Sequence, residues 1–141
     1  MSRKNKLPPD TIGRFDKLGI EWFLATPYPY LVCCIDPQND AHLEVMDQAL
    51  ENWRDPAKPC QSGRATAYVT DDAYVAIVQI KRSQHWRAVV AHEVVHIKNF
   101  IADDFNITWG PENDEPEAYL VGALFTQIER AYEGLGYGKK S

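Results

Sequence analysis

The segment Gln84-His-Trp-Arg-Ala-Val-Val-Ala-His-Glu-Val-Val-His-Ile-Lys-Asn-Phe-Ile101 carries no Gly or Pro, and neither does Ala102 after it. Its apolar residues Trp86, Val89, Val90, Val94, Ile97, Phe100 and Ile101 recur at spacings of three and four, the period that lines one face of an α-helix. Ser83 stands where an N-cap belongs. The pattern predicts a helix from about Gln84 to Phe100 or Ile101. In its middle lies His92-Glu93-Val94-Val95-His96.

Working outward, Asp103 to Asn113 contains Gly110 and Pro111 and reads as a loop. A second helix is expected from Asp114 to about Tyr132. On the other side, Arg64–Thr70 and Tyr74–Lys81 are rich in Val, Ile, Thr and Tyr around Asp71-Asp72, which predicts a β-hairpin. Tyr30–Ile35 reads as a short buried strand, and Asn39 or Asp40 opens a helix to about Trp53. Asp10 or Thr11 opens a short helix to Lys17 that Gly19 would end. These elements make an α+β domain: a small, mostly antiparallel sheet packed on the histidine-bearing helix and on the helix that follows it. The expected domain is 9–133, between a flexible basic arm, 1–8, and a flexible Gly/Lys tail, 134–141.

The chain has 141 residues, 15 Lys+Arg against 20 Asp+Glu, and a net charge of −5. Arg3, Lys4, Lys6, Lys139 and Lys140 lie at the ends, so the stretch from Leu7 to Gly138 carries 10 positive and 20 negative groups. So acidic a body argues against a phosphate-tracking surface and hence against nucleic-acid partners. No apolar run approaches the roughly 20 residues of a membrane helix, and the basic N-terminus leads into Leu7-Pro8-Pro9 rather than an apolar signal core. Cys33, Cys34 and Cys60 are odd in number, and two are adjacent, which suits core packing in a reducing cytoplasm better than a disulfide framework.

Residues four apart on a helix differ by about 40° around its axis, so His92 and His96 leave on the same face and can hold one Zn²⁺. Glu93, about 100° from His92, stands beside that metal and suits a general base for its water. Catalytic zinc takes three protein ligands and one open position. Glu117 falls 21 residues after His96, at the start of the next helix, and is the expected third ligand, with Glu115 and Asp114 as alternatives. Glu117 is also three residues after Asp114, the spacing of a capping box.

His92-Glu-Val-Val-His96 followed by Glu115-Pro-Glu117-Ala118-Tyr119 resembles the zincin metallopeptidases of the gluzincin-like kind. It is closest to the peptidases that clear phage repressors (the ImmA/IrrE type) and to small phage-encoded metallopeptidases with an aromatic after Glu-Ala. The resemblance covers Trp86 to Phe125. The chain departs from it at Val95, where the repressor-clearing type usually has Gly, and at Val121, where thermolysin-like proteins place an Asp. Asp103 and Asp104 are candidates to orient an imidazole in that Asp's place. The resemblance implies a zinc-dependent endopeptidase acting on a protein or peptide substrate, with Glu93 activating the zinc-bound water. Tyr119, His85 and Tyr132 are candidate oxyanion donors, Tyr119 being the catalytic assignment. The strand Tyr74–Ile80 is a candidate to pair with an extended substrate. The other expectation is an inactive zincin-like protein that keeps the metal for structure and works by binding or inhibition.

Overall fold

The computed structural model describes residues 6–139. The elements in chain order are α1 (Thr11–Lys17), β1 (Glu21–Leu24), β2 (Tyr30–Ile35), α2 (Asp40–Ala49), β3 (Gly63–Val69), β4 (Tyr74–Ile80), α3 (Trp86–Asp104) and α4 (Asp114–Gly134). The class is α+β. The four strands form one mixed sheet in the order β1-β2-β4-β3. β2 and β4 pair in parallel, with Tyr30 opposite Tyr74, while β1 and β3 add antiparallel edges.

β2 is buried at all six positions because it is covered on both faces, the condition under which a strand reads as a continuous apolar run. Its side chains alternate. Tyr30, Val32 and Cys34 face a core shared with Ala76, Val78 and Ile80 of β4 and with α3 and α4. Leu31, Cys33 and Ile35 face a second core with Val75 and Ile77, Phe15 of α1, and Val45, Met46 and Ala49 of α2. The adjacent cysteines therefore enter different cores, both as free thiols. Desolvation pushes Cys33 up to about 12, so it is a packing group.

β1 was not expected from the sequence. Its four residues are mostly exposed and it lacks a full apolar alternation, so its place comes from pairing Glu21–Leu24 against Cys34–Leu31. The α2 cap is as expected: the Asn39 side chain accepts from the His42 N–H at 3.2 Å. The buried His42 ring then links three segments. Its Nδ1 accepts the Asp36 N–H at 3.0 Å, and its Nε2 lies 3.0 Å from the Leu18 carbonyl, where it donates.

The described parts of both chain ends are docked on the domain. Residues 1–5 of the basic arm and 140–141 of the tail lie outside the described residues, but Leu7 is docked: its N–H donates to Asp72 and its side chain packs on the second core. The expected flexible tail is anchored by Tyr137, which is 3% exposed. Its ring packs against Trp86 and Tyr132, and its hydroxyl donates to the Ile80 carbonyl. Gly136 and Gly138, at φ of 92° and 79°, allow the reversal that brings the ring back. Arg82 closes over the ring, 4.3 Å from its centroid. Reading the glycines as flexibility missed the aromatic between them.

Tyr137→Ala should therefore cost about 3 kcal/mol in urea denaturation, in the range of buried aromatic truncations. A dispensable tail would leave the midpoint unchanged.

Candidate metal and catalytic site

α3 packs its Val90, Val94, Ile97 and Ile101 onto the sheet. That orientation decides what its two flanks meet. On one flank Arg87 pairs with Glu129 at 3.0 Å and Glu133 at 3.4 Å, and Lys98 pairs with Glu117 at 2.7 Å, so α4 runs along this side. On the other flank α3 meets the start of β3. A Cβ built on Gly63 would stand 2.3 Å from Val89 Cγ1 and 3.1 Å from Glu93 Oε2, so only glycine admits this approach.

Glu93 is 4% exposed, with its carboxyl toward the backbone N–H of Ala65. The Ser62 carbonyl bonds the Lys81 N–H, which sets the alternation of β3, so the Ala65 N–H points to the free side of that edge strand. Burial pushes the Glu93 carboxyl above its ordinary range, opposed by the charges of His92 and His96, the Ala65 N–H and Arg64.

His92 and His96 are exposed on this same β3 side of α3, with Nε2 atoms 3.3 Å apart. Two ligands each about 2.0–2.1 Å from a tetrahedral metal stand about 3.3–3.4 Å apart, so the pair is spaced as one edge of a zinc tetrahedron. Beside it lies a cavity of about 330 Å³ lined by Ser62, Gly63, His85, Ala88, Val89, His92 and Glu93. His85 reaches this cavity from two helical turns before His92.

The other expected residues lie elsewhere. Glu117 is held by Lys98, which is two residues after His96 and so about 200° round α3 from it. Among the described residues no group of three or more His, Cys, Asp or Glu is arranged to hold a metal. Asp114 and Glu115 are exposed in the first turn of α4. Tyr119 is 76% exposed on the outer face of α4 and is removed from the histidines. Tyr132 is buried, its hydroxyl 2.7 Å from the Ile35 carbonyl and 2.9 Å from that of Val78, so its one proton is committed to the sheet. Asp104, the last residue of α3, accepts from the Tyr30 hydroxyl at 2.7 Å. The strand Tyr74–Ile80 is flanked by β2 and β3 and has no free edge; the free edge beside the histidines belongs to β3.

Sequence reasoning missed Gly63. Its only signal is a glycine opening a β-rich run, a position where close backbone approach is a standard reason for the residue. Comparison with protein-family models, curated proteins and solved structures gives no match.

Gly63→Ala should destabilise the fold by about 1–3 kcal/mol, the range of overpacked interiors, and should displace Glu93 along with Val89. Chemical denaturation checks the first effect. An unchanged midpoint would show that α3 does not rest on this contact.

Proposed function

We propose that the chain is a zinc-dependent peptidase that binds its metal through His92 and His96 and uses Glu93 as general base on a protein or peptide substrate. The observation that carries the reading is the imidazole pair at 3.3 Å beside a buried carboxylate that reaches the free edge of β3. A zinc ion held there supplies Lewis acidity, polarising a peptide carbonyl and making water acidic enough to attack near neutral pH. The protein's own parts do the rest. The outer edge of β3 offers main-chain groups to an extended peptide. The cavity beside His85 and Val89 receives a neighbouring side chain. Glu93 takes the proton of the attacking water and returns it to the leaving amine. Its burial disfavours the charged carboxylate and so increases its readiness to hold that proton.

Glu117 joins the metal in this reading only by giving up Lys98 and passing from the α4 flank of α3 to the histidine flank. A second reading, a zinc-holding module that binds without cleaving, is favoured by that ion pair, which leaves the two histidines without a third protein donor among the described residues.

Elemental analysis and a peptide-library cleavage assay separate the two. The peptidase predicts about one zinc per chain in wild type, loss of zinc in His92→Ala, and retained zinc with at least about a hundredfold lower turnover in Glu93→Gln. Wild-type protein without zinc overturns both readings, and equal cleavage by Glu93→Gln removes the general base. For Glu117→Gln, reduced zinc content assigns Glu117 as third ligand, whereas unchanged content leaves the metal to the histidines.

A further inference from the structure

The face of α4 turned away from the core is unpartnered. It is lined by Glu115, Ala118, Tyr119, Gly122, Ala123, Thr126, Gln127 and Arg130, around an open groove of about 810 Å³. Three features of this face are unexplained by the fold itself. Tyr119 is a large aromatic left 76% exposed. Gly122 stands in the middle of a 21-residue helix, where glycine weakens helix stability, yet a Cβ there would meet nothing within 4 Å, so no neighbour in the chain requires its absence. Glu115 and Arg130 close the two ends of the groove with opposite charges, and neither takes part in an ion pair among the described residues.

These residues are symmetric about a point between Gly122 and Ala123. Laid antiparallel on a second copy about that point, Glu115 falls opposite Arg130, Ala118 opposite Gln127, and Tyr119 opposite Thr126. The small residues then lie at the crossing, where two helix backbones approach most closely. A twofold axis repeats every contact, so the Glu115 and Arg130 charges of the two copies complement each other at both ends. A parallel arrangement would set Glu115 on Glu115 and Arg130 on Arg130. Glu133, one turn beyond on α4, is already matched by Arg87 within the chain.

We propose that two copies of this chain associate antiparallel through the outer faces of their α4 helices, crossing at Gly122 and Ala123, with Glu115 of each copy against Arg130 of the other. The dimer gives Tyr119 a covering surface and gives Gly122 its reason. It leaves the histidine flank of α3 open, because that flank faces β3 and not α4.

Sedimentation equilibrium of the full chain tests this. Wild type should run at twice 16.1 kDa at micromolar concentration. Gly122→Leu should run as a monomer with an unchanged far-UV spectrum, since the added side chain enters open space in the single chain. Glu115→Arg and Arg130→Glu should each weaken association about tenfold or more by setting like charges together twice per dimer. The double variant should restore it. Wild-type monomer at about 100 µM overturns the proposal, and so does a dimer that survives Gly122→Leu. Failure of the double variant to recover association overturns the antiparallel register.

Discussion

The approach of α3 to β3 at Gly63 is the contact on which the candidate site depends. With no side chain there, the helix settles until Val89 meets the strand backbone, and Glu93 is carried inward to the Ala65 amide. A side chain at 63 would hold the helix off and leave that carboxylate in water. The histidines, further round the same flank, then look out beside the strand edge. One missing methyl group thus sets the depth of the acid and the height of the imidazoles.

The two flanks of α3 divide its charges by partner. Arg87 and Lys98 are drawn to the acids of α4, and the His92–Glu93–His96 group is left to β3. Sequence spacing could place Glu117 at the start of the next helix but not say which side of α3 that helix would take. The apolar face of α4 settles that side, burying Leu120, Leu124 and Ile128 against α3 and the sheet, and Glu117 then meets Lys98 at 2.7 Å, two residues from His96. Both side chains are largely covered, a setting in which separating the pair costs more than breaking an exposed one.

Much of the fold was readable from residue order, for identifiable reasons. β2 and β4 are dense runs of β-branched and apolar residues, and α3 has a clean helical period with no breaker. The His92–Glu93–His96 face followed from helix geometry alone. What was not readable depends on distant partners. β1 has no pattern of its own and exists because Cys34–Leu31 needs a neighbour. β4 looked like a strand available for pairing, yet the chain passes from β2 through α2 to the outer strand β3 and the hairpin then returns β4 to the centre beside β2, and no local property of Tyr74–Ile80 records that. Tyr137 sits among glycines whose composition suggests a loose end, while its ring fills a gap against Trp86 that only the folded helix creates. Glu117 and Tyr119 stand apart from the histidines for the same reason: their helix was expected, but its orientation about α3 comes from tertiary packing.

The alternation along β2 has a further consequence. Because Val32 and Cys34 belong to one core while Cys33 and Ile35 belong to the other, neither helical layer has a strand of its own. Detaching α1 and α2 would strip one side of the same backbone that α3 and α4 rest on. The two layers are therefore coupled through one shared strand despite having separate interiors, and are expected to unfold together.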